Sequence, residues 1–530
     1  MLLSDAAAPP PPVCGGVGQA CCSDQLCNAG LVCKANACSS AIATSTCPAG
    51  SPAWAFVSEV APPATMAPYD RVTTFVTFRN CSGATAPANG NVRLGFNVPR
   101  DYAPFGLARV LFAADVPNAS EITIPLVVRA PPLTGGYYYG WELLDEGVAW
   151  LPAVSPPHAI DVQATTKTAT ICAGVTADIG GGAAATAALQ TCINNTPSGE
   201  TLELPGGIYR IDGEISVPNP ITIRTLGTVA GSPNCWDHES TSCAVLRASE
   251  NLNVARGFFY VRSGSEVHLD RIVLDGNRAT RLQSTAAATC AAGTNGAGFN
   301  AHSDNCVSCS FKRGMSARAL CGTGWEWSGD GATIEDNVFY GNGDHNTKMM
   351  WSDGLTLLGS NNATVRGNQF VDNSDIDFIC GGAQNAIFEN NSVLHVLQSS
   401  FGGLMLDNFN GGTSGNFVGT MVKGNSINCN GLLCDFGIEL GPHAWYLSTN
   451  IIGGTVTGNS VSGARMQINA EGAGTAANPM VVSGNLLGPT SAAATYGCGQ
   501  TRTATAFNVS PDSFVTTTDG TAKFTYHVCP

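Results

Sequence analysis

The chain has 530 residues, of which 44% are hydrophobic and only 12% are charged, and its net charge is −14. The charged fraction is about half of that usual in globular proteins, which excludes a coiled coil, a charged disordered tail and a large helical enzyme. The 25 Lys and Arg residues form no cluster, which excludes a nucleic-acid-binding surface. No run of 18 apolar residues is present, so no membrane span is predicted.

The length predicts roughly two to four domains at about 150 residues per domain. The composition of the chain changes near residue 46 and again near residue 163. We therefore expect three segments, which are 1–46, 47–163 and 164–530.

The segment 1–46 contains a leader rich in Pro and Ala, followed by a cluster of cysteines. Six of the 21 cysteines fall within 25 residues. A segment of 25 residues is too short to enclose a hydrophobic core, so disulfides must provide its stability. The cluster has no His and no CxxC spacing, which excludes a zinc site. The six cysteines are expected to pair with one another: Cys14, Cys21, Cys22, Cys27, Cys33 and Cys38. Residues 39–46 are predicted to form a linker.

The cysteine content also indicates the compartment. So many cysteines are typical of an oxidising environment, and we expect a secreted, extracellular protein. The sequence starts without a basic segment followed by an apolar run, so export is inferred from the cysteines alone. The run CGGVGQACCSDQLCNAGLVCKANAC resembles small Cys-rich modules that precede extracellular domains of secreted bacterial proteins.

The segment 47–163 alternates apolar and polar residues, which predicts a β-sandwich. The phrases VTTFVTFRNCSGAT, LVVRAPPLTGGYYYGWELL and VAWL resemble the immunoglobulin-like domain first described in autophagy receptors with four tryptophans. Cys47 and Cys81 are candidates for a disulfide within this domain. Two roles are open, a structural spacer or a carbohydrate- or partner-binding module that uses the tyrosines at 137–139.

The segment 164–530 repeats one phrase, a short apolar strand that ends on Asn. The intervals between successive asparagines are 31, 22, 35, 34 and 26 residues, as expected for a solenoid whose turns carry loops of different length. We expect these side chains to stack in related inner turns and to satisfy backbone groups there. They are Asn337, Asn368, Asn390, Asn425, Asn459 and Asn485.

The beginning of this segment supports a solenoid. A helical pattern at 187–192 precedes the phrase GETLELPGGIYR. This order resembles the start of pectate-lyase-like right-handed parallel β-helices, in which a helix covers the open end of the coil. The fold expected for the whole chain is therefore all-β, with a disulfide-rich mini-module, an immunoglobulin-like β-sandwich and a right-handed parallel β-helix.

Three aspartates in the third segment are candidate catalytic residues. Asp353 and Asp375 are 22 residues apart, and stacked strands of one sheet lie about 4.8 Å apart. We therefore expect their carboxylates to stack on one sheet, with Asp377 beside them and all three facing a groove. Three carboxylates this close cannot all ionise freely, so either one holds a proton or a cation neutralises them.

The same residues resemble the aspartate pattern of polygalacturonase-type glycoside hydrolases, in which one aspartate stands in N-T-D-G and two stand in D-D about one turn later. The matching phrases here are SDG and DID. The resemblance implies that Asp353 is the single aspartate and that Asp375 and Asp377 are the pair. In this chain Ile376 separates the pair, and the G-H-G and R-x-K phrases of that family are not present.

Other polar and aromatic residues near the aspartates are candidates for substrate binding, because rings stack on sugar faces and polar groups bond to hydroxyls. They are Lys348, Asp407, Glu439, His443, Trp445, Tyr446 and Arg465. Trp325 and Trp327 alternate on an earlier strand and form either a sugar platform or part of the core. Cys306 and Cys309 are expected to form a disulfide or to stack. Cys429 and Cys434 are expected to form a disulfide that closes a loop.

These residues favour a secreted enzyme that hydrolyses the glycosidic bonds of a polysaccharide. One carboxyl would protonate the leaving oxygen and another would activate water or attack the sugar, with neither role assigned. A second interpretation is a Ca²⁺-dependent lyase on a uronate polymer, with calcium held by the aspartates and Lys348 or Arg465 as the base. A third is a non-catalytic glycan-binding or adhesive protein. The hydrolase interpretation requires no metal or cofactor. We expect the protein to be a monomer and its binding partner to be the polysaccharide substrate.

Overall fold

The computed structural model describes residues 27, 31–34, 37–66, 71–88, 90–100, 104–105, 107, 109–131, 135–146, 148–163, 169–172, 184–229, 231–293, 295–347, 349–446, 449–490, 494–495, 501–502 and 506–520. The chain divides into two compact units, 1–166 and 167–530. The division lies close to the boundary predicted at residue 163.

The first unit consists of strands. They are β1 (Leu31–Lys34), β2 (Ala37–Ser40), β3 (Ile42–Thr44), β4 (Trp54–Val60), β5 (Thr65–Met66), β6 (Arg71–Asn80), β7 (Val92–Phe96), β8 (Arg109–Val110), β9 (Ser120–Arg129), β10 (Gly135–Tyr139), β11 (Trp141–Asp145), β12 (Ala149–Val154) and β13 (His158–Val162).

Strands β1 and β2 pair with each other, and β3 to β13 surround one hydrophobic core. Two sheets have the orders β3-β9-β6-β4 and β12-β11-β7-β8, and a third has the order β10-β13-β5. Phe78, Tyr139 and Trp141 are fully buried between them. Buried and exposed residues alternate along the strands, since successive side chains point to opposite faces. The structure agrees with the predicted β-sandwich, and the immunoglobulin-like relationship remains a prediction.

The three tyrosines at 137–139 have different environments. Tyr139 is buried, its hydroxyl lies 2.7 Å from that of Thr74, and burial raises its pKa to about 12. Tyr138 is 58% exposed, and Tyr137 is half-buried. Strand alternation therefore divides the predicted tyrosine patch between core and surface. Its role in binding remains a prediction.

The predicted disulfides of this unit are present where the structure describes both partners. Cys47 is bonded to Cys81, and Cys27 to Cys38; Cys33 is also in a disulfide. Three other members of the cluster lie outside the described residues: Cys14, Cys21 and Cys22. The linker predicted over 39–46 is wrong in part, because β3 pairs with β9 and extends a sheet of the sandwich.

The second unit contains most of the strands of the chain. They are β14 (Ala169–Ile171), β15 (Thr201–Leu204), β16 (Gly207–Ile211), β17 (Ile215–Val217), β18 (Ile221–Thr225), β19 (Ala244–Ala248), β20 (Phe259–Val261), β21 (Val267–Asp270), β22 (Ile272–Asp275), β23 (Ala301–Ser303), β24 (Ser310–Lys312), β25 (Met315–Ala317), β26 (Gly322–Ser328), β27 (Thr333–Glu335), β28 (Val338–Tyr340), β29 (Ser352–Gly359), β30 (Thr364–Arg366), β31 (Gln369–Val371), β32 (Ile376–Cys380), β33 (Ile387–Glu389), β34 (Ser392–Leu394), β35 (Ser400–Leu406), β36 (Met421–Lys423), β37 (Ser426–Asn428), β38 (Cys434–Leu440), β39 (Thr455–Thr457), β40 (Ser460–Ser462), β41 (Met466–Ala470), β42 (Met480–Ser483), β43 (Leu486–Leu487), β44 (Ala494–Thr495), β45 (Thr501–Arg502), β46 (Phe507–Val509) and β47 (Val515–Thr517). Its helices are α1 (Thr186–Asn195), α2 (Arg278–Arg281) and α3 (Thr285–Ala291), with 3₁₀ turns at Asn295–Gly298 and Pro442–Ala444.

Nearly all of these strands belong to three long parallel sheets, of 12, 10 and 10 strands. Successive strands enter the three sheets in turn, so each turn of the chain adds one strand to each sheet. The result is the predicted right-handed parallel β-helix. The sheet that matters for function is β17-β20-β23-β26-β29-β32-β35-β38-β41-β46, which we call sheet 3.

Helix α1 lies at the start of the coil, as predicted. Its residues Leu189 and Ile193 are buried in the core of the β-helix, and a disulfide joins Cys172 to Cys192 on the helix. Because the end of a solenoid exposes an open core and an unpaired strand edge, an apolar helix face at this place excludes water from both.

A ladder of asparagines runs along one inner corner of the coil. Each amide nitrogen donates to the amide oxygen of the next turn, at 2.9 to 3.0 Å. The members are Asn337, Asn368, Asn391, Asn425, Asn459 and Asn485. The prediction of Asn390 was wrong by one residue, because Asn390 adopts positive φ at the corner and Asn391 turns inward.

Trp325 and Trp327 belong to the core and do not form a sugar platform. Both are 1% exposed, and their ring centroids are 5.0 Å apart. The predicted disulfides Cys306–Cys309 and Cys429–Cys434 are present. Three disulfides of the described chain were not predicted: Cys172–Cys192, Cys235–Cys243 and Cys290–Cys321. No helix in the described part of the chain is long and apolar enough to cross a membrane.

Candidate active site

Two of the predicted aspartates meet at the start of neighbouring strands in sheet 3. Asp353 is the second residue of β29, and Asp375 directly precedes β32. The two strands pair with a register of 23 residues, whereas the aspartates are 22 apart. The N–H groups of Ser374 and Asp375 both donate to the carbonyl of Ser352, at 3.2 and 3.1 Å. The register thus changes from 22 residues at the aspartates to 23 residues along the paired strands. This one-residue β-bulge before β32 places Asp375 beside Asp353.

The carboxyl of Asp353 is held in place by two hydrogen bonds. Its Oδ1 accepts from the N–H of Ile376 at 3.1 Å, and its Oδ2 is 2.7 Å from the hydroxyl of Thr356. That hydroxyl is in turn 2.9 Å from the hydroxyl of Thr323 on the preceding strand. The chain of hydroxyls accommodates either protonation state of Asp353, since a hydroxyl both donates and accepts.

Both aspartates are poor acids in this position. Burial and the neighbouring charge of Asp375 raise the pKa of Asp353 well above its usual range. Burial raises the pKa of Asp375 to about 6. Two carboxyls that interact titrate as a pair, and the charge of one opposes ionisation of the other. We call Asp353 and Asp375 the acid pair.

Asp377 lies apart from the acid pair, contrary to the expectation that all three carboxylates face a groove. Its carboxylate is fully buried and accepts from the amide of Asn373 at 2.8 Å. It also lies 2.7 Å from Nε2 of His395. Burial alone would lower the pKa of His395, but the charge and hydrogen bond of Asp377 outweigh this effect and raise the pKa to about 8. Asp377 and His395 therefore form an internal ion pair.

The inward turn of Asp377 has a local cause. Along β32 the simple alternation of side chains is broken after the bulge, so that Ile376 and Ile379 pack in a cluster with Met405. Phe378 packs in the central core, and Asp377 points to the inner corner. There it continues a short second ladder, in which the amide of Asn342 donates to Asn373 at 2.7 Å.

Aromatic side chains adjoin the acid pair. The N–H of Phe401 donates to the carbonyl of Asp375 at 2.9 Å, which places Phe401 one turn further along the coil. The ring of Phe401 contacts those of His345, Trp351 and Trp445, with centroids 4.8, 5.3 and 6.4 Å apart. These four residues, all partly exposed, form what we call the aromatic patch.

Tyr446 lies at the edge of the same region. Its side chain is 42% exposed. Its pKa is raised by partial burial and by the negative charges of Asp407, Asp375 and Asp353. The phenol is therefore close enough to all three carboxyls to respond to their charge.

Asp407 and Glu439 are buried beneath the surface and do not reach solvent. Burial raises the pKa of Asp407 to about 6, and its Oδ1 meets no donor among the described groups. Glu439 accepts two bonds from the amide of Asn469, at 3.1 and 2.9 Å. Its pKa is raised well above the usual range by burial and by the charge of Glu471. Of the two, Asp407 acts on the surface residue Tyr446 through its charge.

The remaining predicted binding residues have other partners or lie outside the described chain. His443 is buried, with Nδ1 2.5 Å from a carboxylate oxygen of Asp512. Arg465 forms an ion pair with Asp435, with Nε 3.1 Å from Oδ1. Lys348 lies outside the described residues. Trp445 and Tyr446 are thus the two predicted binding residues that the structure places on the surface beside the acid pair.

Sequence reasoning missed four residues of the site. Thr356 bonds to Asp353, and three members of the aromatic patch were not candidates: His345, Trp351 and Phe401. Trp351 is two residues before Asp353, and Phe401 opens the phrase FGG. Residues at matching positions of successive turns of a solenoid lie side by side. Aromatic residues near the aspartates in the sequence, or at matching positions of the next turn, could therefore have been predicted to join the site.

The separation of the aspartates also bears on calcium. A Ca²⁺ site takes six to eight oxygen ligands, often from several carboxylates, and Asp377 is turned away from the acid pair. Within the ranges that the structure describes, no group of three or more His, Cys, Asp or Glu side chains is arranged to hold a metal ion. The lyase interpretation and its calcium remain predictions.

Comparison with solved structures finds other parallel β-helices. The Yersinia enterocolitica family 28 exopolygalacturonase matches with a TM-score of 0.42 and 11% identity, over 87% of this chain and 95% of that one. A polygalacturonase from Erwinia carotovora ssp. carotovora matches with a TM-score of 0.42 and 13% identity, over 69% and 97%. Pectate lyase Pel9A matches with a TM-score of 0.31 and 14% identity, over 57% and 71%. The likeness concerns the fold alone. No protein-family model and no curated protein matches the sequence.

Proposed function

We propose that this protein is a polysaccharide-degrading enzyme that hydrolyses glycosidic bonds with Asp353 and Asp375. The observation that carries the proposal is the acid pair, two coupled carboxyls with raised pKa values at the start of adjacent strands. Among the residues that the structure describes, neither carboxyl has a basic partner that would explain it as an internal ion pair, in contrast to Asp377 with His395. Perturbed carboxyls without a structural partner are typical of functional sites.

The two carboxyls divide the work of hydrolysis. Burial and the charge of Asp375 raise the pKa of Asp353, and we assign to Asp353 the role of the acid that protonates the leaving oxygen. Asp375 is ionised above about pH 6 and either removes a proton from water or attacks the sugar carbon. Thr356 and the N–H of Ile376 orient the carboxyl of Asp353.

The aromatic patch supplies the binding surface beside this chemistry. Rings at the floor of a site pack against the C–H faces of sugar rings, and Phe401 is joined to Asp375 by a backbone hydrogen bond. A sugar stacked on the patch would therefore lie within one turn of the coil, about 4.8 Å, of the acid pair. We also propose that the protein works outside the cell, where its disulfides persist.

Product analysis tests the proposal directly. The full-length protein is incubated with a panel of soluble polysaccharides, and both new reducing ends and the ultraviolet absorbance of unsaturated products are measured. We expect new reducing ends without that absorbance, and none from a D353N/D375N double variant. Unsaturated products would identify a lyase. Binding of a polymer by the wild-type chain without any new ends would identify a non-catalytic glycan-binding protein.

A further inference from the structure

The charges around the acid pair bear on the kind of polymer that it accepts. We propose that the substrate bound at the acid pair is a neutral glycan and not a polyuronate. This inference rests on the proposed function and narrows it to one class of substrate. It concerns the sugar units that lie over the acid pair and the aromatic patch.

Acidic side chains approach the site from three consecutive turns of sheet 3. Asp353 lies on β29, Asp375 just before β32, and Asp407 just after β35. The charges of all three act on the Tyr446 hydroxyl at the surface. A uronate carboxylate bound here would approach at least one ionised aspartate, and like charges at short range in a partly buried site repel strongly.

Two arginines of the described chain, one towards each end of sheet 3, are paired with acids. Arg465, towards the C-terminal end of sheet 3, is paired with Asp435 at 3.1 Å. Arg256, towards the N-terminal end, is bonded to Glu326. Neither guanidinium is left uncompensated to neutralise the carboxylates of a polyuronate, which are the groups that arginine binds best.

The base within the aromatic patch is His345. Its Nδ1 lies 2.8 Å from the carbonyl of Ser374, so this nitrogen carries the proton that it donates. The other ring nitrogen has no hydrogen-bond partner among the described residues, and in the neutral imidazole it accepts a hydrogen bond. A sugar hydroxyl donates such a bond, whereas an ionised uronate carboxylate has no proton to donate.

The rest of the surface is apolar. Phe401 and Trp445 belong to the aromatic patch and pack against a cluster formed by Ile376, Ile379 and Met405. Such a surface favours the C–H faces of uncharged sugars, because burying an ionised group against apolar side chains costs its hydration. Charge and packing thus favour the same class of substrate.

Affinity electrophoresis of the full-length wild-type protein tests the inference. The gels contain polygalacturonate, alginate, the same two polymers with their carboxyl groups reduced to alcohols, or a native neutral galactan, mannan or glucan. Each reduced polymer keeps the linkages and ring stereochemistry of its parent and carries an uncharged hydroxymethyl group in place of each carboxylate. We expect the tightest-binding polymer to be neutral, and each parent to bind at least about tenfold more weakly than its reduced form. Equal or tighter binding of the parents would overturn the inference, as would no binding to any neutral polymer.

Two variants locate the effect at the acid pair. Trp445→Ala is expected to weaken binding of the neutral polymer several-fold, and Tyr446→Lys, which adds a cation beside the acids, to strengthen binding of polygalacturonate. If neither variant changes binding, the preference arises elsewhere and the inference is wrong. This test and the test of the proposed function have distinguishable outcomes. Binding of a neutral polymer without new reducing ends refutes hydrolysis alone. Hydrolysis of polygalacturonate, together with tighter binding of that polymer, refutes the neutral substrate alone.

Discussion

Asp353 accepts a hydrogen bond from the backbone N–H of Ile376 at 3.1 Å, from one turn of the coil to the next. Ile376 directly follows Asp375, so the bond ties the carboxyl of one aspartate to the backbone beside the other. The separation of the acid pair is thus set by the backbone of β29 and β32, with the bulge at residues 374–375 included. A rigid backbone of this kind holds the two carboxyls close together, whereas the same groups on flexible segments would move apart.

The pH dependence of turnover follows from the acid pair. Asp375 has to be ionised, and burial raises its pKa to about 6, so kcat/KM should fall as the pH decreases through about 6. Asp353 has to be protonated, so activity should fall again at alkaline pH. The charge of Asp375 raises the pKa of Asp353. In the Asp375→Asn variant the alkaline limb of the residual activity should therefore move to lower pH, and an unmoved limb would contradict the coupling.

Asp375→Asn should stabilise the fold at neutral pH. The pKa of Asp375 is about 6 in the folded protein and about 3.9 in the unfolded chain. The folded state thus binds the proton more tightly, and its stability falls as the pH rises from about 4 to about 6. The variant removes this cost, which we place at about 1 to 3 kcal/mol. Thermal unfolding at neutral and acid pH checks the prediction, and the gain should disappear below about pH 4.

The ion pair of Asp377 with His395 should act on stability and not on chemistry. Asp377→Asn leaves a buried imidazolium without its partner, at a cost of about 3 to 5 kcal/mol, which urea unfolding measures. A raised histidine pKa stabilises the fold fully below the unfolded value of about 6.5. This contribution, about 2 kcal/mol, is lost as the pH rises through the folded pKa of about 8. His395→Gln should abolish this loss of stability between about pH 6.5 and about pH 8. An unchanged unfolding curve for both variants would show that the pair is unimportant.

The aromatic patch should determine substrate affinity. Trp445→Ala removes a partly exposed ring that contacts Phe401, so we expect KM to rise about tenfold, equivalent to about 1.4 kcal/mol, with a smaller change in kcat. The matched control is Trp236→Ala, because Trp236 is 38% exposed and its indole bonds to the backbone of Asp336, away from the acid pair. Equal effects of both substitutions on KM would rule out a specific role for the patch.

Periodicity in the sequence was sufficient to predict the coil and the acid pair. The repeated strand-Asn phrase identified the inner corner, and the 22-residue step brought Asp353 and Asp375 together. Two adjacent asparagines, Asn390 and Asn391, satisfied the same pattern, and only the backbone conformation decides which of them turns inward.

The position of Asp377 could not be predicted from alternation. The bulge before β32 changes which side chains face inward, and it depends on two N–H groups that share the carbonyl of Ser352. No residue type in the phrase NSDIDF signals this arrangement. The aromatic patch was missed for another reason, since its members come from separate turns and long loops whose paths the repeat does not specify.

The most direct test of the acid pair is the kinetics of Asp353→Asn and Asp375→Asn on a polysaccharide that the wild-type protein cleaves. We expect each substitution to lower turnover by about 10²-fold or more with the fold intact. Asp353→Asn should recover on a glycoside of the same sugar with an acidic phenol as leaving group, because that group needs no proton. Asp375→Asn should be rescued by azide, with a glycosyl azide as the product. Wild-type turnover in both variants would contradict the central claim that these two carboxyls perform the reaction.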